Sequence, residues 1–318
     1  MSSSEFKMLK YSNNSNIEKN AISGTKEYDK FVLNHLKSKY NDIACFIIPK
    51  NTSKHSEHDY QLLWEYETSK EVIMNDLKEG VYDIYGNRQI YVQNPKSFEK
   101  GNKNYGKDRF GTLYVHKFLD TKIKDCLKTD KRFVVVMLNT YISGPPHANV
   151  LIYDKKHKSI ERFDPNGYNK TSMGSYQNKV MDKDIKKYFE SITKINTYIG
   201  PVDFCPTWKE WKTRNVAHQK IQGLEKFKEF KGSCATWTLW YIDLRLLNPN
   251  VARESIIKKS IKDINEGSSS FTSFIIKVYN YYKRVSGAPI SKKSTKKTKK
   301  RNVDLRVKNF VSSMIKSS

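Results

Sequence analysis

The chain has 318 residues, with 58 Lys and Arg against 33 Asp and Glu, a formal charge of +25. That length suffices for one large or two small domains, and 20 Tyr and 15 Phe supply rings for a core that a hydrophobic content of 37% would otherwise build thinly. No window approaches the roughly 18 consecutive apolar residues of a membrane span, so no membrane partner is expected, and the charge favours polyanions at a strength that falls with salt.

Residues 1–25 are rich in Ser, Asn and Lys and are expected to form a loose N-terminal segment. They show no positive n-region followed by an apolar h-region. The four cysteines, Cys45, Cys126, Cys205 and Cys234, follow no CxxC or zinc spacing and are expected as reduced thiols, with no metal or organic cofactor. From Tyr28, YDKFVLNHLKSKY carries apolar residues at helical spacing, and a second helix is predicted over 58–80, HDYQLLWEYETSKEVIMNDLKEG. VYDIYGNRQIYVQNP reads as a hairpin around Tyr85 to Asn87. Residues 26–130 form an accessory region in this reading.

The next part is clearer. FVVVMLNTYI (133–142) is a β-branched run of buried-strand type, broken by GPP; HANVLIYD (147–154) is a second strand and SIERF (159–163) a third, with Ile160 and Phe163 as its apolar positions. DPNG then imposes a turn. NKVMDKDIKKYFESITKI (178–195) is an amphipathic helix and TYIG a short strand; CATWTLWYIDLRLLN, VARESIIKKSIKDIN and SSFTSFIIKVYNYYKRV are helices. This order predicts an α+β fold in which helices flank a mainly antiparallel central sheet, with the main domain over 131–287. Residues 288–318 read as a basic disordered tail, where Lys292, Lys293, Lys296, Lys297, Lys299, Lys300 and Arg301 would meet nucleic acid.

Cys234 stands between Gly232-Ser233 and a strong helix, so its sulfur is expected at the first turn, where free N–H groups and the dipole favour a thiolate. A buried structural cysteine is the alternative. Of seven histidines, His147 is the best partner because it opens a strand after Pro145-Pro146; the others lie in polar or charged settings. Asp164 ends the next strand and could fix the imidazole, although Asp-Pro-Asn-Gly is also an ordinary turn sequence. Gln219 and Gln222 both precede Cys234 as candidate oxyanion donors. Trp208 and Trp211, interleaved with Lys, are candidates to line a substrate or nucleic-acid groove.

The order His, Asp, Gln, Cys, with HANVLIYDKKHKSIERFDPNG and GSCATW, resembles the Ulp1/adenain clan of cysteine proteases, most closely the versions encoded by large DNA viruses. The resemblance covers about 130 to 285. It implies His147 as general base, Asp164 as orienting acid, Cys234 as nucleophile at the start of a buried helix, and Gln222, through a Q-x-x-E pattern, as oxyanion donor. It further implies cleavage after small residues of Gly-Gly type, in viral precursor proteins or ubiquitin-like conjugates, in the host cytoplasm at viral factories and in the virion. Two departures stand out: Ala148 follows the histidine where many members have Trp, and Gln222 lies twelve residues before the cysteine instead of about six. An acyltransferase on the same triad, and a basic nucleic-acid-binding or virion structural protein with a relic triad, are the alternatives.

Overall fold

Every position from Phe133 to Leu138 is apolar because the strand it forms is buried on both faces of a sheet. The computed structural model describes residues 5–11, 26–48, 62–66, 81–83, 111–141, 147–165, 167, 173–205, 233–266 and 271–288, all within the unit Met1–Ala288. In chain order the elements are α1 (Lys26–Lys39), β1 (Ala44–Phe46), β2 (Leu62–Tyr66), β3 (Val81–Asp83), β4 (Gly111–His116), α2 (Lys117–Lys128) and β5 (Phe133–Tyr141). There follow β6 (His147–Asp154), β7 (Ser159–Phe163), α3 (Met173–Ile192), β8 (Thr197–Ile199), α4 (Pro201–Phe204), α5 (Ser233–Leu247), α6 (Arg253–Glu266) and α7 (Phe271–Val285).

The sheet order is β3-β4-β2-β5-β6-β7-β8, with β1 also on β5: β1 pairs Phe133–Val135 and β2 pairs Leu138–Tyr141. The sheet is mixed, not mainly antiparallel as the sequence suggested. β1 and β2 run parallel to β5, and β8 runs parallel to β7 because α3 returns the chain to the end where β7 began. The pairs β2–β4, β3–β4, β5–β6 and β6–β7 are antiparallel. The helix expected over 58–80 is replaced at Leu62–Tyr66 by β2, since LLWEY finds hydrogen-bonding partners on both sides, in β4 and β5. The rest of that segment and the hairpin turn at Tyr85 to Asn87 lie outside the described residues.

Alternation along β5 sends Phe133, Val135 and Met137 into a core with α1, α5, α6 and α7, while Val134, Val136 and Leu138 join α2 and α3 on the other face. Helix α5 is buried all round, and its two charged residues are compensated. Asp243 accepts hydrogen bonds from Tyr282 at 2.8 Å, from Lys39 at 2.8 Å and from Tyr40. Arg245 donates to Glu161 at 3.0 Å; Arg253 adds a bond to the same carboxylate at 2.8 Å. Residues 5–11 pack Phe6, Met8, Leu9 and Tyr11 on the first core, and Asn248 holds Lys7 by both backbone groups, accepting at 2.7 Å and donating at 2.8 Å. Among the described residues no helix is long and apolar enough to cross a membrane.

The four reduced thiols expected from the sequence are corrected to two. Cys45 on β1 and Cys126 on α2 are joined by a disulfide with their Cα atoms 5.7 Å apart, 81 residues apart in sequence, a separation that leaves no local spacing signature. Cys205 and Cys234 are free. Thiol titration of the unfolded, unreduced chain is expected to find these two thiols, and four after reduction. Reduction is expected to lower stability to urea by about 4 kcal/mol, the chain-entropy value for so long a loop; four thiols without reductant would show that the bridge does not form.

Candidate active site

Antiparallel pairing of β6 with β7 fixes which residues meet at the end of the sheet. Val150 lies opposite Phe163, so Asp164, one residue beyond, emerges beside the strand start that carries His147. The turn after β7 closes by a bond from the Gly167 N–H to the Asp164 carbonyl at 2.9 Å, and Gly167 takes φ 69°, where a side chain would be strained. His147 Nε2–H donates to Asp164 Oδ1 at 2.7 Å. The imidazole is one-fifth exposed and the carboxylate nearly buried, so this bond is little screened by water.

Cys234 is the second residue of α5. Its side chain and the His147 ring are hydrogen-bonded; since Nε2 serves Asp164, Nδ1 is the nitrogen left for the sulfur. The Ala148 N–H also donates to that sulfur, while Thr238, one turn along α5, donates its hydroxyl to the Ala148 carbonyl at 3.2 Å. The two backbone groups of Ala148 thus pin β6 to the first turns of α5. The His147 carbonyl accepts from Thr140 at 3.3 Å and from Asn149 at 3.4 Å. Ala148 is itself buried.

The electrostatics of the pair are reciprocal. Burial pulls the His147 pKa down, but the Asp164 carboxylate, the hydrogen bond to it and the neighbouring sulfur overcome that and push it up to about 10. Burial raises the Cys234 thiol, the His147 hydrogen bond and charge and the Ala148 N–H outweigh it, and the net shift is downward, with Asp29 opposing. This favours a thiolate beside an imidazolium. Cys205 differs: burial pushes its thiol up, and its sulfur accepts a bond from the Asp164 N–H.

Of the residues singled out in the sequence, His147, Asp164 and Cys234 come together. Gln219, Gln222, Trp208, Trp211 and the Lys292 to Arg301 cluster lie outside the described residues. Sequence reasoning missed Arg162 and Asp182. Arg162, fully buried on β7, donates to Asp182 at 2.7 Å, to Asn149 at 3.0 Å and to the second oxygen of Asp164 at 3.5 Å. The available signal was a charged pair, Glu161-Arg162, inside a strand flanked by core residues.

The paired state has a pH window. The imidazolium persists until pH rises through about 10, and the thiolate persists until pH falls through a Cys234 pKa depressed below its usual value near 9. Alkylation of Cys234 by iodoacetamide is therefore expected to reach half its maximal rate at a lower pH than an ordinary thiol does, and to drop about tenfold or more at neutral pH in His147→Ala. An alkylation profile in that variant identical to the wild type would remove the pairing.

No family model matches the chain. A putative ankyrin repeat protein, L371, of Acanthamoeba polyphaga mimivirus is 25% identical over 176 residues, 53% of this chain; the chain spans about a fifth of that relative, 22% of its length. Among solved structures, the chain is similar to the Chlamydia trachomatis effector protein ChlaDUB1, at 12% identity and a TM-score of 0.38, covering 85% of this chain and 88% of that one. It is similar also to the ASFV pS273R protease, at 14% identity and a TM-score of 0.35, covering 88% and 72% of the two chains. The Legionella pneumophila effector protein RavZ follows at 14% identity and a TM-score of 0.26, covering 85% and 76%. Likeness at these TM-scores carries no functional reading.

Proposed function

We propose that the chain is a cysteine peptidase or isopeptidase working through Cys234, His147 and Asp164. The observation that carries this reading is the placement of one imidazole between the Asp164 carboxylate, at 2.7 Å, and the Cys234 sulfur at the first turn of a buried helix. Asp164 keeps the proton on Nε2 and stabilises the imidazolium, so Nδ1 can take and return the thiol proton.

The Cys234 thiolate adds to the scissile carbonyl carbon, and negative charge moves to the carbonyl oxygen, which faces the unpaired N–H groups of the first turn of α5. Gln222, or alternatively Gln219, is the proposed side-chain donor to that oxygen. Collapse breaks the C–N bond, and imidazolium Nδ1 gives its proton to the leaving amine. The thioester remains. Water, losing a proton to Nδ1, adds to it and expels the thiolate, leaving a carboxylic acid product and the starting pair.

The substrate in this reading is a protein tail with small residues before the scissile bond, of Gly-Gly type, in a viral precursor or a ubiquitin-like conjugate. The mimivirus relative supports a setting among large DNA viruses. Discharge of the thioester onto an amine would make the chain an acyltransferase, and the same site would serve it. The net charge of +25 alone favours nucleic acid as a further partner.

A Gly-Gly vinyl sulfone peptide or ubiquitin-like probe is expected to label the full chain at Cys234, as peptide mapping will read. Labelling should vanish in Cys234→Ala and fall about a thousandfold or more in His147→Ala. A label on Cys205, or a Cys234 label indifferent to His147→Ala, would overturn the assignment.

A further inference from the structure

Asp164 has two oxygens, and only one of them serves His147. The other faces Arg162, whose guanidinium is completely buried and donates to Asp164 beyond β7, Asn149 on β6, Asp182 on α3 and Tyr198 on β8. Tyr198 on β8 donates to the same Asp182 oxygen at 2.6 Å. Gly200 leaves space for that carboxylate, since a Cβ there would lie 2.7 Å from Asp182 Oδ2. A buried guanidinium without a counter-charge is strongly unfavourable, so Asp182 is what allows Arg162 to remain behind the acid.

We propose that Arg162 and Asp182 form a positioning pair that orients the Asp164 carboxylate toward His147 and sets the net charge felt by the Cys234–His147 pair. This rests on the cysteine peptidase reading for its catalytic meaning, but not for its geometry. The guanidinium bonds of Arg162 run to Asp164, Asn149, Asp182 and Tyr198. It acts through Asp164, by a planar fork that fixes the carboxylate plane. The charged and titratable groups facing the site are His147 from β6, Arg162 from β7 and Asp164 just beyond it, Asp182 from α3, Tyr198 from β8, Cys205 from the end of α4, Cys234 from α5 and Asp29 from α1.

Opposite charges in the pair give opposite signatures. Arg162→Met removes a positive charge, making protons harder to lose from both His147 and Cys234, so both limbs of the pH profile should move alkaline. Asp182→Asn leaves Arg162 less compensated, and both limbs should move acid. Shifts of about half a pH unit or more are expected in each direction. Combined, the two replacements should return the limbs toward wild type while kcat stays reduced, because the carboxylate has lost its fork. Arg162→Lys keeps the charge without the planar fork; kcat should fall about tenfold with KM little changed and the limbs unmoved.

The experiment reads Cys234 alkylation by iodoacetamide against pH, with kcat and KM on a Gly-Gly peptide, in full-length variants checked by thermal unfolding. Opposite shifts of the alkylation limbs support the pair. Shifts in the same direction, or none, in Asp182→Asn and Arg162→Met would overturn it. Should Arg162→Met not fold, Asp182→Asn must still move both limbs acid while Arg162→Lys leaves them in place and lowers kcat; unmoved limbs in Asp182→Asn, or an unchanged kcat in Arg162→Lys, would overturn the pair. Alkylation needs no peptide, so the two readings fail separately: an active peptidase with unmoved limbs sinks only the positioning pair. Opposed alkylation shifts in a chain that cleaves no peptide sink only the peptidase reading.

Discussion

A hydrogen bond of 2.7 Å between His147 Nε2 and the Asp164 carboxylate fixes both the tautomer and the plane of the ring that Cys234 must meet. It spans two strands, so it exists only if β6 and β7 pair in one register. A slip by one residue would turn Asp164 to the other face of the sheet. The register is held at the far end by charge. Asp154, last residue of β6, takes a two-pronged contact from Arg132 at 3.0 and 2.8 Å and another from His157 at 2.8 Å. Arg132, just before β5, and His157 in the turn thus pin the hairpin whose open end carries the site.

The helix that brings the sulfur is anchored with equal care. At its start Ala148 and Thr238 join it to β6. Near its end Arg245 joins it to Glu161 of β7, with Tyr241 donating to the same carboxylate at 2.9 Å. Glu161 and Arg162 are neighbours on one strand, point to opposite faces, and serve opposite sides of the sheet: Glu161 ties β7 to the Cys234 helix, Arg162 ties it to α3. Buried ion pairs of this kind add little net stability over apolar packing, but they impose a unique arrangement because each mispairing leaves a charge stranded.

Much of the site end was legible because its signals are local. The strands 147–154 and 159–163 match β6 and β7 residue for residue, and the Asp-Pro-Asn-Gly turn and the Gly-Ser-Cys helix start declare themselves in a few positions each. What escaped is non-local. The parallel partners of β5 arrive from chain segments far upstream, so counting hairpins suggested an antiparallel sheet. Leu62–Tyr66 reads as helix until β4 and β5 offer it hydrogen bonds. In SIERF the sequence offers Ile160 and Phe163, on opposite faces, as apolar positions and shows no partner for Glu161 or Arg162. All five are buried, since counter-charges from α3, α5 and α6 arrive only in the fold.

The clasp between Lys7 and Asn248 joins residues 241 positions apart. A ribosome makes one of them long before the other, so residues 5–11 must wait, undocked, until α5 and the helices that share its core have emerged.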